Sequence, residues 1–253
     1  DLESPIPICF HPALEIKRRD VDIRLKEGDK IGKFYVEYDG ENGYTGLWQV
    51  LYNDSTYGLQ IISAKSVKDF TLGGATEAEA KASYNTAIDT LNTECRKYVN
   101  NIYATTGRCV GSNPLSPNDE IEDTNTVTLQ FKYNDSYESE CKVAGTDYTG
   151  TDIDAMNKAI NQNDSGICSV NKNYWLASRY VRENSENAYF SVYFIGDNGV
   201  KYYSDLRHIK STGDFNIKIA STIGLRPVIT LISNIQTNYG DGSLNKPFKL
   251  VAK

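Results

Sequence analysis

The chain has 253 residues, 40% hydrophobic and 24% charged, a composition typical of a globular protein with a sizeable core. Its net charge of −6 argues against nucleic acid as a partner, because phosphate contacts need clustered Lys and Arg. Tyr is frequent, with 18 residues against one Met, and Tyr suits strands and half-exposed recognition surfaces.

The first 27 residues are predicted to form an extended arm. Pro5 and Pro7 exclude a helix there, because proline removes a backbone donor and restricts the preceding residue. Residues 21–25 alternate apolar and polar side chains, which predicts a short strand that ends near Gly28. We therefore expect an arm over residues 1–27 and a domain over residues 28–253.

Three short strands joined by tight turns are predicted next, over residues 33–38, 47–52 and 58–63. Turn residues at Asp39-Gly40 and at Asn53-Asp54 separate them. Such a series predicts an antiparallel meander.

The clearest helical pattern runs over residues 76–104, where apolar side chains recur every three or four residues. Thr76 and Glu79 form the pattern of a capping box, and Gly107 is the expected stop. A second, shorter helix is predicted near 152–162. Between the two, residues 111–150 are rich in loop-forming residues around one strand-like run at 126–131.

Strands return in the last third of the chain, over residues 174–178, 188–195, 200–203 and 224–231. A tight turn at 197–199 joins the middle two, and residues 240–243 form another turn before a terminal tail. The sequence thus predicts an α+β fold with antiparallel strands, one long helix, a shorter second helix and a loop-rich middle.

This order of elements, together with two motifs, resembles the C-type-lectin-like superfamily. The motifs are NYWLASR at 173–179 and GLRPVITL at 224–231. The resemblance covers about residues 28–250 and is greatest to the branch of formylglycine-generating-type domains and variable proteins of diversity-generating retroelements. The tail at 233–250 is similar to the ends of exported bacterial domains of unknown function. The resemblance implies that the N- and C-terminal strands pair and that loops carry recognition.

Three residues of these motifs are predicted to be structural. Trp175 and Leu176 would anchor the core, and Arg226 would be a buried strut for an ion pair or a carbonyl group.

Neither chemistry known in the superfamily is expected here. Formylglycine-generating enzymes rely on reactive cysteines late in the domain, and this chain has none after Cys168. Calcium-dependent lectins carry ligand motifs that only residues 52–54 approach, in the wrong strand. His208 lies near Ser204 and Asp205 without the context of a nucleophile. We expect no enzyme activity, no catalytic residue, no metal site and no cofactor.

The five cysteines have no C-x-x-C spacing, and the chain has only two His, so a zinc site is not expected. Export, which the resemblance implies, favours at least one disulfide, and buried free thiols are the alternative. Cys95 with Cys109 and Cys141 with Cys168 are the leading pairs among those that the count allows.

The candidate site lies on the hairpin over residues 180–208 and the following loop. Tyr, Asn, Ser and Arg dominate evolved recognition surfaces, and these residues crowd here, although an ordinary solvated surface is the alternative. Alternation predicts that Tyr189, Ser191 and Tyr193 face outward. The residues expected to contact a ligand are Tyr180, Arg182, Tyr189, Tyr193, Tyr202, Tyr203, Arg207 and His208.

The function expected is that of a secreted or cell-surface binding or adhesion module of a bacterium or phage: a cell-surface protein, a pilus-associated subunit or a phage receptor-binding protein. Its ligand would be a protein or a glycan on another cell or surface. The resemblance also allows diversification by a retroelement. The alternative is a structural subunit of an extracellular filament, in which the arm over residues 1–27 mediates self-association by pairing with a neighbour's sheet edge.

Overall fold

The computed structural model describes residues 35–39, 45–54, 58–111, 127–133, 136–143, 173–183, 187–196, 200–210, 215–216, 220–233, 235–237 and 240–252. The predicted arm over 1–27 and the predicted helix near 152–162 lie outside these ranges. The described elements form an α+β structure with two helices and mostly antiparallel strands. No helix in the described part of the chain is long and apolar enough to cross a membrane.

Seven strands form the first sheet, in the order β14-β15-β1-β2-β3-β13-β5. Their bounds are β1 Tyr35–Asp39, β2 Thr45–Asp54, β3 Gly58–Ser63, β5 Ala104–Cys109, β13 Pro227–Leu231, β14 Ile235–Thr237 and β15 Phe248–Ala252. The predicted meander is confirmed by β1, β2 and β3, which pair antiparallel in sequence order. The first described strand also pairs with the last, since β1 and β15 run parallel with Val36 opposite Phe248.

Six strands form the second sheet, in the order β11-β10-β9-β8-β12-β4. Their bounds are β4 Lys68–Leu72, β8 Tyr174–Glu183, β9 Asn187–Ile195, β10 Lys201–Lys210, β11 Phe215–Asn216 and β12 Ser221–Leu225. A separate hairpin consists of β6 Val127–Tyr133 and β7 Ser136–Val143, which confirms the predicted strand in the middle of the chain.

The predicted long helix is two consecutive helices, α1 Glu77–Asn85 and α2 Ala87–Arg96. The predicted capping box is present at the start of α1, where Thr76 Oγ1 accepts from Glu79 N and Glu79 Oε2 accepts from Thr76 N. The pattern overstated the length of the helix, since α2 ends at Arg96. Gly107, the expected stop, lies inside strand β5.

Two apolar clusters hold the sheets and helices together. Ile61 and Ile62 are adjacent in β3 and belong to different clusters, because successive side chains of a strand point to opposite faces. The larger cluster contains Ile62 of the first sheet, Tyr84 and Leu91 of the helices, and Trp175 of the second sheet. Both sheets therefore pack against the helices in one core, and the smaller cluster covers the opposite face of the first sheet.

The predicted closing strand over residues 224–231 is two strands that belong to different sheets. β12 pairs with β4 and β8, and β13 pairs with β3 and β5. Arg226 lies at the junction and is fully buried, as are Trp175 and Leu176, so the three predicted structural residues are confirmed in the core. Arg226 donates from Nε and Nη2 to the Ser63 carbonyl at 2.8 and 2.6 Å. Of the two predicted roles, an ion pair or a carbonyl contact, the structure has the carbonyl contact.

The C-terminal turn is as predicted, but the tail behind it is strand β15. Gly240 has φ +90°, and a Cβ there would lie 2.0 Å from the Pro247 carbonyl oxygen. Only glycine fits this combination of left-handed backbone and close approach. The turn reverses the chain, so that β15 runs antiparallel to β14 and parallel to β1.

Cys95 and Cys109 are fully buried free thiols in the structure, so the predicted disulfide between them is not formed. Cys95 lies on α2 and Cys109 at the end of β5. Burial, with a hydrogen bond between the two thiols, raises the pKa of Cys95 well above its ordinary value. The other predicted pair, Cys141 with Cys168, lies outside the side chains that the structure describes.

We expect Cys95 and Cys109 to resist alkylation in the folded protein, because both thiols are fully buried and the raised pKa of Cys95 leaves it with little reactive thiolate. Both should react after unfolding without any reductant. Peptide-mapped mass spectrometry after sequential alkylation measures this. A requirement for reductant after unfolding would contradict the free thiols and restore the disulfide.

Candidate functional site

The candidate site is the outer face of β8, β9 and β10, the face that is turned away from the helices. On the inner face Phe190 packs against Tyr84 of α1, with ring centroids 5.3 Å apart. The neighbouring Tyr189 points the other way and lies opposite Arg182 of β8 and His208 of β10. Alternation along β9 therefore separates a core face from an outer face.

Seven side chains on the outer face contact one another in a continuous row, here called the aromatic–cation array. In order of contact they are His208, Tyr189, Arg182, Tyr203, Tyr180, Tyr193 and Lys201. They come from three neighbouring strands, so the array exists only once the sheet has formed.

The first half of the array alternates rings and a guanidinium group. His208 is stacked on Tyr189 at 4.2 Å with an interplanar angle of 10°. Arg182 Cζ lies 4.0 Å from the Tyr189 ring centroid and 5.0 Å from that of Tyr203. Imidazole and guanidinium groups this close to one ring centre occupy its two opposite faces, which are the electron-rich sides that favour a cation.

The second half of the array contains three tyrosines and a lysine. Tyr180 lies between Tyr203 and Tyr193, with ring centroids 5.0 and 5.2 Å away. Lys201 Nζ is 4.4 Å from the Tyr193 ring centroid. Each of the four tyrosine rings of the array therefore has two neighbours within the array.

Ser191 explains why side chains of β8 and β10 can meet across the strand between them. Ser191 lies on β9 opposite Tyr180 and Asp205, and it is fully buried although its side chain points to the outer face. Its small side chain leaves a gap over which Tyr180 and Tyr203 lean. The prediction that Ser191 faces outward is right in direction, but larger neighbours cover it.

Asp205 holds the centre of the array in place. Its Oδ1 accepts from Ser191 Oγ at 2.5 Å, and its Oδ2 accepts from Arg182 Nη2 at 3.2 Å. The ion pair is partly exposed, with 40% of the Arg182 side chain and 31% of the Asp205 side chain accessible, so it orients Arg182 more than it stabilises the fold.

His208 lies at the end of the array and has a lowered pKa. Burial and the charge of Lys210 lower its pKa below the ordinary value, with a further contribution from Arg182, while Asp205 opposes the shift. Its Nε2 lies 2.8 Å from Asn187 Oδ1 and acts as the donor, because an amide oxygen only accepts. This contact and the Tyr189 ring fix the imidazole at the end of the array.

Six of the eight predicted site residues lie together in the array, and two do not. Tyr202 is 43% exposed, but it stacks on Phe194 on the opposite side of β10 from Tyr203. Arg207 is 1% exposed and donates from Nη2 to Glu77 Oε1 at 2.9 Å, so its prediction as a ligand contact is wrong.

A β-bulge explains the error at Arg207. The pairing register of β9 and β10 shifts between Asp205 and Arg207, because Leu206 is an extra residue there. Strict alternation from Tyr203 would place Arg207 on the outer face, whereas the bulge turns it inward and brings His208 outward.

Lys201, Asp205 and Ser191 complete the site but were not among the predicted contacts. Lys201 and Asp205 have the same parity along β10 as Tyr203, so alternation could have included them. Nothing in the sequence marks Ser191 as the gap that the neighbouring strands bridge.

The described part of the chain has no group of three His, Cys, Asp or Glu placed to hold a metal ion. Ser204, considered beside His208, instead hydrogen-bonds Ser221 across the sheet at 2.7 Å. The ring edges, hydroxyl groups and cations of the array are groups that can bind a ligand.

Comparison of the chain with protein-family models, with curated proteins and with solved structures finds no match in any of the three. The function proposed for this chain therefore depends on its own residues.

Proposed function

We propose that this chain is an extracellular, non-catalytic binding module, secreted or displayed on the surface of a bacterium or phage. It recognises a protein or glycan ligand on another cell or surface through the aromatic–cation array. The C-type-lectin-like fold is part of this proposal. Pairing of the first described strand with the last, and burial of Trp175 and Arg226 from the two motifs, support it.

The observation that carries the proposal is the array itself. Tyr203 is 41% exposed and the Arg182 side chain is 40% exposed, so both are accessible to a ligand. Large aromatic side chains and arginine at the centre of a surface are the residues that most often dominate binding energy. Their mutual contacts restrict their rotamers before any ligand arrives, which lowers the entropy lost on binding.

The filament alternative depends on the arm over residues 1–27, which lies outside the described ranges. No described residue favours it over the binding module.

Tyr202 and Tyr203 provide a matched pair for testing the site. The two are adjacent and 43% and 41% exposed, but only Tyr203 belongs to the array. We expect Tyr203→Ala to weaken binding by about 30-fold, which corresponds to about 2 kcal/mol. Tyr202→Ala should change it by less than about twofold. Ligands selected from a random-peptide display library and a glycan array supply the probes, and fluorescence anisotropy measures the affinities.

Thermal unfolding of both variants is the control, and we expect both to fold. Ligands that bind the two variants equally well would place the site elsewhere. Failure to select any ligand from either library would contradict the proposed function.

A further inference from the structure

We propose that the array binds an extended acidic segment of a protein partner, a stretch of chain that carries Asp or Glu carboxylates. This inference rests on the proposed function and specifies the chemistry of its ligand.

Charge is the first argument for an acidic ligand. The chain as a whole carries a net charge of −6. The described side chains of the outer face include three cations, Arg182, Lys201 and Lys210, and one carboxylate, Asp205. Lys210 lies opposite Asn187 at the far end of the hairpin and acts on His208. The outer face is therefore a positive patch on an acidic protein, which favours a partner of opposite charge.

The orientation of the rings is the second argument, and it favours a peptide over a glycan. A sugar ring packs its C–H groups against the open face of an aromatic ring. Here both faces of Tyr189 are taken by His208 and Arg182, and Tyr180, Tyr193 and Tyr203 each have two neighbours in the array at 4.4 to 5.2 Å from the ring centroid. What remains for a ligand at Tyr189 is the ring edge, which carries the positive part of the aromatic quadrupole, and the phenol hydroxyl group. Both groups suit carboxylate and carbonyl oxygens.

The size of the face is the third argument. β9 spans nine residues, so the face is about 27 Å long, and three strands make it about 10 Å wide. The resulting area of roughly 300 Å² is less than half of the ~800 Å² that each partner contributes to a standard protein interface. A long, narrow, ready-formed face of this size matches a single extended chain.

A charge-matched set of probes tests the inference. The first is a fluorescent peptide of alternating Glu and Ser, about ten residues long, which spans about 30 Å when extended. The second replaces Glu with Lys, and the third is an oligogalacturonate that carries the same number of carboxylates on a glycan chain. We expect the Glu peptide alone to bind, with affinity that falls as salt is raised.

Lysine variants provide matched controls of equal charge. Lys201→Gln and Lys210→Gln should each weaken binding of the Glu peptide by about two- to fivefold, and Lys201→Arg should retain it. Lys249→Gln removes the same charge from β15 of the other sheet, where Lys249 is 51% exposed beside Glu37, and should leave affinity unchanged.

Each contrary result has a separate meaning. Equal weakening by Lys249→Gln would show a diffuse charge effect and overturn the inference. If the oligogalacturonate binds and the Glu peptide does not, the ligand is an acidic glycan and the inference is overturned. Failure of the Glu peptide to bind, while library ligands still depend on Tyr203, would overturn the acidic segment and leave the proposed function standing.

Discussion

Replacing Arg226 with Ala is expected to lower the free energy of unfolding by about 3 to 5 kcal/mol. The side chain is fully buried between the two sheets, where it donates twice to the Ser63 carbonyl at the end of β3. Its Cζ also lies 4.8 Å from the ring centroid of Tyr174 at the start of β8. The substitution leaves a cavity and removes two donors from a buried carbonyl group.

Chemical denaturation followed by circular dichroism measures the effect. Arg226→Lys is the graded control, because lysine keeps the charge and most of the volume but loses the planar fork that donates twice. We expect it to lie between the wild type and Arg226→Ala. An unchanged unfolding midpoint for Arg226→Ala would show that Arg226 does not hold the two sheets together.

Arg207→Ala and Arg182→Ala are expected to separate stability from binding. Arg207→Ala should lower the free energy of unfolding by about 3 kcal/mol, because a side chain that is 1% exposed leaves a cavity under α1 and loses its bond to Glu77. Arg182→Ala should cost less than about 1 kcal/mol, because its side chain is 40% exposed and its ion pair is partly solvated. Only Arg182→Ala should weaken binding of ligands selected with the wild-type protein.

The two arginines come from β8 and β10, the strands on either side of β9 in one sheet, and differ in the face they occupy. Denaturation midpoints and anisotropy titrations on the same preparations give both quantities. Loss of binding in folded Arg207→Ala with little change in stability would contradict the assignment and return Arg207 to the site. Loss of stability in Arg182→Ala comparable to that of Arg207→Ala would show that the array is part of the core.

The contacts within the array explain how a binding surface can be both exposed and ordered. Tyrosine and arginine side chains that stand alone on a sheet lose rotamer freedom when a ligand binds. In this chain the contacts from Tyr189 through Arg182 to Tyr203 restrict them beforehand, and Asp205 orients the guanidinium group. The surface is therefore prepared for a ligand by its own side chains.

The sequence by itself determined the elements whose signals are local. The capping box at Thr76, the meander of β1 to β3 and the β9–β10 hairpin were predictable because hydrogen bonds and alternation between near neighbours encode them. The burial of Trp175 and Arg226 also followed from their motifs. Five of the predicted site residues lie in one row because the period of two along a strand is a property of the chain itself; they are Tyr180, Arg182, Tyr189, Tyr193 and Tyr203.

Only the tertiary structure decided which face each side chain occupies and which sheet each strand joins. The bulge at Leu206 turns Arg207 inward and His208 outward. The pairing of β9 with β10 determines where this bulge lies, and no local pattern does. The run over 224–231 divides between two sheets at Arg226, since its halves pair with strands far away in sequence. Tyr180 and Tyr203 meet over Ser191 only after three strands are aligned. Long-range pairing therefore determined the site, while local periodicity supplied its residues.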